Sequence, residues 1–314
     1  MKGLILAAGK GTRLYPMTRM ICKPLLPVYD KPLIYYPLSI LLQAGITDIM
    51  VIIPEGEEET FSKLLGDGSA WGAHISYAVQ KVPRGIADAF LVAEDFIKGD
   101  SVCLVLGDNI FYDESRDYLF LKKGRELTEG ALVFGYYVED PRPFGVVEFD
   151  ADGNALSIEE KPRFPKSNYI IPGLYFYDSD VLDIARNLKP SARGELEITD
   201  VNLEYLRRGS LKVAPLDNDF VWLDAGTAES LLEAGNRIRE VQTRTGRYVA
   251  CPEEIACEQG LITVEQVHSL GDELSKTLYG QYLQCMPMKN IWTRSISSTW
   301  SRQNPSFIPT APIS

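Results

Sequence analysis

The chain has 314 residues, of which 45% are hydrophobic and 24% charged, and a formal net charge of −11. That size and balance suit a soluble globular protein of one large or two modest domains. The acidic surplus excludes a general nucleic-acid binder, which needs a basic face, so any phosphate site must be a local basic pocket in an acidic body.

The first predicted element is a strand, Gly3–Ala7, which runs directly into Leu6-Ala-Ala-Gly-Lys-Gly-Thr-Arg-Leu14. A strand entering a Gly-x-Gly loop brings backbone N–H groups close to an anion, and small residues let a phosphate approach. Arg13 and Lys23 add the cations that glycines lack. The loop is not the dinucleotide fingerprint, because Leu14 stands at the third glycine position, and it lacks the Gly-Lys-Ser/Thr order of the Walker loop. It reads as a nucleoside triphosphate cradle; Gly9-Lys10-Gly11 on its own would equally fit a plain turn.

Further along, Leu33–Ala44 reads as a helix ending at Gly45, Asp48–Ile53 as a strand, and Glu57–Leu65 as a helix closed by Gly66. His74–Val79 follows as a strand, Ile86–Ile97 as a helix and Ser101–Leu106 as a strand. This alternation predicts an α/β fold, a parallel sheet with helices on both faces. Ligands of such sheets bind beyond the carboxyl ends of the strands, and the glycine loop, Gln80 and Asp108 all lie at such ends. The middle is richer in strands: Ala131–Val138, Gly145–Phe149, Ala155–Glu160 after a turn at Asp152-Gly153, and Tyr169–Tyr177. Val181–Leu188 and Glu197–Arg207 read as helices, Leu211–Pro215 and Phe220–Leu223 as strands, and Ala228–Val241 as a long amphipathic helix. From about Cys285 to Ser314 the chain holds no acidic residue and is rich in Ser, Pro, Asn and Thr, the composition of a disordered tail or of a partner-binding extension.

Chemistry-bearing residues fall at strand ends. Leu104-Val-Leu-Gly-Asp-Asn-Ile110 and Trp222-Leu-Asp-Ala-Gly-Thr227 share one design, an apolar strand closing on an aspartate next to glycine. Asp108 and Asp224 then form a Mg²⁺ site, oxygen ligands for a hard cation, or serve as caps, although Thr227 is itself a good cap. In Glu159-Glu-Lys-Pro162, Lys161 would grip a phosphate and Glu160 a sugar hydroxyl, unless the pair is a solvated edge. Arg193-Gly-Glu-Leu-Glu-Ile-Thr-Asp200 is either a capped helix start or a loop that closes on substrate. The two histidines, His74 and His268, stand in no nucleophile arrangement, and metal-assisted phosphoryl or nucleotidyl transfer needs none. The five cysteines form no Cys-x-x-Cys pair, so a structural zinc site is not expected. Cys103 reads as a buried small hydrophobe, and Cys22, next to Lys23, is a candidate reactive thiol. Unpaired thiols and the lack of a signal segment point to the cytoplasm.

Taken together, Leu6-Ala-x-Gly-x-Gly-Thr-Arg-Leu14, Lys23-x-x-Leu-Pro-Val-Tyr-Asp-Lys-Pro32, Ile34-Tyr-Tyr-Pro-Leu-Ser39, Gly107-Asp-Asn109, Glu159-Glu-Lys-Pro162, Arg193-Gly-Glu-Leu-Glu-Ile-Thr-Asp-Val201 and Trp222-Leu-Asp224 resemble the sugar-phosphate nucleotidylyltransferases over about residues 1 to 283. The resemblance implies a Rossmann-like nucleotidyltransferase fold: a mixed, mostly parallel central sheet with helices on both faces, a small β-rich sugar-binding part and C-terminal helices. It implies a nucleotidyltransferase core over 1–227, divided near 110 into nucleotide and sugar parts, then a helical assembly or regulatory region over 228–283 and a tail over 284–314. The implied reaction joins dTTP and glucose 1-phosphate into dTDP-glucose and pyrophosphate, the first step towards dTDP-deoxysugars such as dTDP-rhamnose, in a cytoplasmic homotetramer that uses Mg²⁺. Leu6, Ala8, Gly9, Gly11, Thr12 and Arg13 would hold the triphosphate, Lys23 the phosphates and leaving group, and Gln80 and Gly85 the thymine. Asp108 and Asp224 would bind Mg²⁺, and Gly145, Glu160, Lys161 and Tyr175 the sugar phosphate. The catalytic set implied is Arg13, Lys23, Asp108 and Lys161.

This sequence departs from the family's pattern in places. Cys22-Lys-Pro24 replaces Ser-Lys-Gln, and Asp88 stands where Gln is more usual, which opens the alternative of another nucleotide or hexose phosphate. Asp113-Glu114 replaces Gly-His, and Ala256-Cys-Glu258 replaces Ala-Tyr-Arg. Both of these fall in the family's secondary, regulatory nucleotide site, where added carboxylates should weaken phosphate binding and feedback inhibition. A non-catalytic sugar-nucleotide sensor is the other alternative; retained Arg13, Lys23, Asp108 and Asp224 argue against it.

Overall fold

The structure, a computed structural model, describes residues 1–114, 118–216 and 219–287. Its first part runs β1 (Lys2–Leu6), a small hairpin of β2 (Pro27–Val28) and β3 (Lys31–Pro32), α1 (Tyr35–Gln43), β4 (Asp48–Pro54), α2 (Glu58–Leu65), β5 (His74–Gln80), α3 (Asp88–Val92), α4 (Glu94–Ile97), β6 (Val102–Leu106) and β7 (Asn109–Asp113). The middle comprises α5 (Leu119–Arg125), β8 (Ala131–Tyr137), β9 (Gly145–Phe149), β10 (Ala155–Glu160), β11 (Tyr169–Ile170), β12 (Leu174–Tyr177), α6 (Val181–Asn187), α7 (Ile198–Arg207), β13 (Leu211–Pro215) and β14 (Phe220–Asp224). Helices α8 (Ala228–Thr245), α9 (Pro252–Glu258), α10 (Val264–Glu273) and α11 (Leu278–Gln284) complete the described chain.

The elements build one mixed sheet of ten strands among the described residues, in the order β10-β9-β11-β8-β12-β6-β1-β4-β5 with β13 paired to β8. From β6 to β5 neighbours are parallel, Leu6 lying opposite both Leu106 and Ile52. Beyond β6 the direction reverses at β12, and the strands out to β10 pair antiparallel, while β13 returns parallel on β8. The apolar strand runs are continuous because both faces are covered. Ile5, Val51, Cys103 and Val105 face a core shared with α1, α2 and the C-terminal helices, whereas Leu4, Ile52, Val102 and Leu104 face one shared with α3, α6 and α7. Cys103 is fully buried there, as a small hydrophobe. A third cluster, with Val28, Leu33, Tyr36, Ile110, Ala234 and Ile238, seats α8 on the small hairpin and β7.

Three local outcomes differ from the sequence expectation. The predicted helix Ile86–Ile97 is two short helices, broken where Ala93 takes φ −97° and ψ 12°. The predicted strand Tyr169–Tyr177 is interrupted at Ile171-Pro172-Gly173, where Pro172 offers no N–H and the Gly173 N–H turns to Asn109 Oδ1 at 3.2 Å. The sequence offers no element over 109–113, and the structure forms β7 there, buried and paired antiparallel with β14 outside the main sheet. Met286, at the start of the predicted tail, is buried, and its carbonyl lies 2.8 Å from His268 Nε2. Residues 288–314 lie outside the described residues.

Candidate active site

The glycine loop leaves β1 with Ala7 and Ala8 buried. A Cβ on Gly9 would meet nothing within 4 Å, whereas Gly11 takes φ +59°, and a Cβ there would come within 3.0 Å of Lys23 and Thr18 side chains. Thr18 Oγ1 donates to Gly11 O at 2.7 Å, and Leu14 N closes a tight turn on the same carbonyl at 2.9 Å. Gly9 is thus open for an anion to approach, while Gly11 is pinned over the base of Lys23. Arg13 stands exposed at the mouth.

Strands β7 and β14 explain how Asp108 and Asp224 come together. Their register sets Asp224 opposite Asn109, and Ala225 N donates to Asp108 O at 3.3 Å. Asn109 is buried at the junction: Nδ2 donates to Asp108 Oδ1 at 2.8 Å, and Oδ1 accepts from Trp222 Nε1 at 2.6 Å as well as from Gly173 N. Lys23, 6% exposed, donates to Asp108 Oδ2 at 2.6 Å. Burial, and then the charge of Asp108, pushes the Asp224 carboxyl above the usual range; the Lys23 and Arg13 cations oppose this only in part. A Cβ on Gly226 would sit 2.6 Å from Asp224 Oδ2 and 3.0 Å from an Arg13 guanidinium nitrogen, so a side chain there would require these charged groups to shift. Helix α8 is capped by Thr227, whose side chain accepts from Ser230 N in a capping box, so Asp224 is not needed as its cap. Two convergent carboxylates, one destabilised as an anion by the other, fit a divalent oxygen-seeking cation. Among the described residues no third Asp, Glu, His or Cys joins them, so phosphate oxygens and water would supply the other ligands.

These groups open onto a cleft of about 650 Å³. Leu6, Gly9, Arg13, Gln80, Gly85, Asp108, Gly145, Glu160, Lys161, Tyr175 and Asp224 line it. Of the other sequence-predicted residues, Ala8 and Lys23 are buried behind the lining, and Gly11 and Thr12 belong to the loop at its edge. At one end Gly85 takes φ +108°, and a Cβ there would lie 2.4 Å from Leu196 O. Leu196 N donates to Arg84 O at 2.6 Å and Ala87 N to Leu196 O at 3.1 Å, which ties the Gln80–Asp88 loop to the 193–198 segment.

The opposite wall carries Glu160, Lys161 and Arg193. Glu160 Oε2 accepts from Thr199 Oγ1 at 2.6 Å, and its other oxygen lies 3.3 Å from Lys161 Nζ and 3.6 Å from Arg193. Lys161 holds a left-handed φ of 48°, rare for lysine, with its N–H on Phe144 O at 3.0 Å. Tyr175 is buried, and its hydroxyl resists ionisation through burial and the nearby Glu160 and Asp108. Asn109, Thr199 and Trp222 were not singled out as site residues; Asn109 stood inside the Gly-Asp-Asn run, where only the long-range partners Trp222 and Gly173 reveal its role. Cys22, a candidate reactive thiol by sequence, is unreactive at neutral pH, because burial and then the Glu57 charge push its thiol up to about 12.

A second, smaller cavity of about 220 Å³ lies between β7, α8 and α9 and contains Asp113, Glu114, Arg244, Arg247 and Glu254. Glu114 pairs with Arg244 at 2.6 Å and Arg237 at 3.4 Å, and Arg247 approaches Glu254 at 3.5 Å and Glu258 at 3.6 Å.

Comparison with known proteins adds the lineage. The Nucleotidyl transferase family model matches residues 2–241. Glucose-1-phosphate thymidylyltransferase of Neisseria gonorrhoeae is 55% identical over 283 residues, covering 90% of this chain and 98% of that protein. Its counterpart in Mycolicibacterium smegmatis is 53% identical over 283 residues, with the same coverage of 90% and 98%. Among solved structures, a Bacillus anthracis protein assigned as a glucose-1-phosphate thymidylyltransferase, in complex with sucrose, superposes with a TM-score of 0.69 at 44% identity, over 76% of this chain and 96% of that one. A UDP-glucose pyrophosphorylase in complex with UDP-glucose superposes at 0.65 with 25% identity, over 76% of this chain and 98% of that one. Both likenesses carry the mixed sheet and its flanking helices.

Proposed function

The chain belongs to the nucleotidyl transferase family, and from that premise we propose that it transfers the thymidylyl group of dTTP to glucose 1-phosphate, giving dTDP-glucose and pyrophosphate. It is an enzyme, and relatives that share more than half of its residues over nine-tenths of its length carry that activity in their names. The observation that carries the proposal is one cleft whose two sides hold different chemistry. Arg13, Lys23, Asp108 and Asp224 gather on one side, and Lys161, Arg193 and Glu160 on the other.

In this mechanism the open backbone at Gly9 and the cation of Arg13 receive the triphosphate. Gln80 and the Gly85 backbone face the base. Lys161 holds the phosphate of the sugar substrate, and Glu160, oriented by Thr199, accepts from a sugar hydroxyl, with Gly145 and Tyr175 completing that pocket. A phosphate oxygen of glucose 1-phosphate attacks the α-phosphorus; the new P–O bond forms as the bond to the β-phosphate oxygen breaks, and pyrophosphate leaves with the electron pair. Alignment of the two phosphates supplies much of the acceleration, and the fixed charges of Arg13, Lys23 and Lys161 face the negative charge that shifts towards the leaving group. The family is generally metal-dependent, and we assign Mg²⁺ to Asp108 and Asp224, where it would neutralise phosphate oxygens as a Lewis acid.

We also propose a homotetramer and a cytoplasmic setting. Exposed Leu232, Leu274 and Leu278 on and beside the C-terminal helices support self-association, and five free cysteines support a reducing compartment. No helix among the described residues is long and apolar enough to cross a membrane. We propose that residues 1–227 form the nucleotidyltransferase core, 228–283 the assembly region and 284–314 a tail.

The test is pyrophosphate release with Mg²⁺ and glucose 1-phosphate, comparing dTTP, UTP, CTP and ATP for the native chain and for Asp224→Asn. Fast release with dTTP is expected, and a drop in kcat of about 10²-fold or more in the variant. Preference for another nucleotide, or no release by the folded protein, would overturn the assignment.

A further inference from the structure

Asp88 is an odd residue to find where it is. It is 1% exposed at the first turn of α3, beneath the base end of the cleft. Its two oxygens are divided between different partners. Oδ1 accepts from Arg84 at 2.6 Å, and Oδ2 accepts from Gln80 Nε2 at 2.8 Å. Gln80 is itself 6% exposed at the carboxyl end of β5, and its side chain lines the cleft. Among the described residues no donor meets the Gln80 carbonyl oxygen.

A primary amide has two faces that are close in shape and opposite in hydrogen bonding. A lone glutamine can rotate by half a turn and present either. An ionised carboxylate paired with an arginine only accepts, so it admits the NH₂ of Gln80 and excludes the carbonyl oxygen. With one N–H committed to Asp88, Gln80 has one N–H and its carbonyl oxygen left for a ligand, in a fixed order.

We propose that Asp88 is a specificity-determining positioning residue: by locking the Gln80 amide it makes the cleft accept a keto pyrimidine and refuse an amino pyrimidine. The inference rests on the thymidylyl-transfer reaction proposed above and extends it. A keto pyrimidine carries an N3–H donor between two acceptor oxygens. The locked carbonyl of Gln80 takes the N3–H, and the remaining N–H reaches a flanking keto oxygen. Cytosine has a bare acceptor at N3, so the locked carbonyl faces a lone pair whichever neighbour the N–H engages. Loss of one hydrogen bond and a repulsive contact in its place discriminates by about tenfold or more. Rotation of the amide would repair the fit for cytosine, and Asp88 forbids that rotation. The lock also gives the Gln80–Asp88 loop a fixed shape before ligand arrives, because the same carboxylate holds Arg84.

The experiment compares kcat/KM for dTTP and dCTP in the native chain and in Asp88→Asn, with melting temperature recorded for both. Asparagine can offer Gln80 either a donor or an acceptor, so the amide is free to turn. The expected result is a fall in the dTTP-to-dCTP ratio of about tenfold or more, through a gain with dCTP and a raised KM for dTTP, with kcat at saturating dTTP nearly unchanged. A merely structural role for Asp88 would lower both nucleotides together and leave the ratio intact, which would overturn the proposal. Should the variant not fold, the native chain decides: a dTTP analogue methylated at N3, which lacks the donor, is expected to bind at least about tenfold more weakly than dTTP. Equal binding of the two would overturn the proposal. Native chain that turns over no dTTP at all removes the reaction itself and this inference with it, an outcome distinct from normal dTTP turnover with an unchanged ratio.

Discussion

Cys22 shows how a neighbour in sequence misleads about chemistry. Its position beside Lys23 suggests an activated thiol, since a cation favours thiolate. In the fold the Lys23 ammonium is committed to Asp108 at 2.6 Å, and Cys22 instead lies within reach of Ala7 O at 3.8 Å. Desolvation then dominates and raises the thiol to about 12. At pH 8 its thiolate fraction is on the order of a thousandfold below that of an ordinary exposed thiol. Timed alkylation with iodoacetamide followed by peptide mass spectrometry should therefore label the exposed Cys285 first and leave Cys22 unmodified until the pH is raised well above 10. Early labelling of Cys22 in folded protein would contradict the burial that shields it.

At the scale of elements, β1, β4 and β6 of the parallel half were legible because each is a short apolar run bounded by glycine or a charged turn, and continuous apolar strands report two covered faces. β9, β10 and β13 fall within the same limits in sequence and structure. What sequence could not give was β7. Its identity as a strand depends on β14, which follows more than a hundred residues later, and no local pattern encodes a partner that distant. The site was legible to the same degree. Asp108 and Asp224 were visible as strand-end carboxylates, but Asn109 and Trp222, which fasten them, act through that long-range ladder. The loop over the base end is a second case. Gly85 follows Pro83-Arg84 and looks like an ordinary turn residue, yet its φ of +108° and the 2.4 Å approach of Leu196 O make glycine obligatory. In Gly85→Ala the methyl group must push the loop from the 193–198 segment, breaking the backbone bonds of Leu196 to Arg84 and Ala87. Strain of this kind costs about 1–3 kcal/mol. The KM for dTTP should rise about tenfold, with circular dichroism unchanged; a variant with native KM would show that the loop bends without cost.

At the scale of the whole molecule, two of the cavities among the described residues treat negative charge in opposite ways. In the main cleft Arg13 and Lys161 face the opening, and the carboxylates there are suited to a cation. In the smaller cavity the arginines already have carboxylate partners from the chain itself: Glu114 on Arg244 and Arg237, and Glu254 and Glu258 near Arg247. Glu114 and Glu258 are among the residues that replace the histidine and arginine expected there from the family resemblance. A phosphate entering that cavity would have to displace an ion pair and then face the freed carboxylate, and charge-assisted bonds to arginine are the main source of affinity for such a group. The pairs of Glu114 and Glu258 are partly exposed and individually weak, whereas Glu254 is fully buried, so the barrier at the exposed pairs lies in repulsion from the released carboxylates more than in breaking them. Steady-state kinetics with dTDP-rhamnose should therefore show weak inhibition that added dTTP relieves, as expected for competition in the main cleft alone. Glu114→Ala, which frees Arg244 and removes one carboxylate, should introduce an inhibitory component that dTTP does not relieve. Strong inhibition of the native chain that persists at saturating dTTP would mean that the cavity binds the diphosphate despite its internal pairs, and that its arginines exchange partners at little cost.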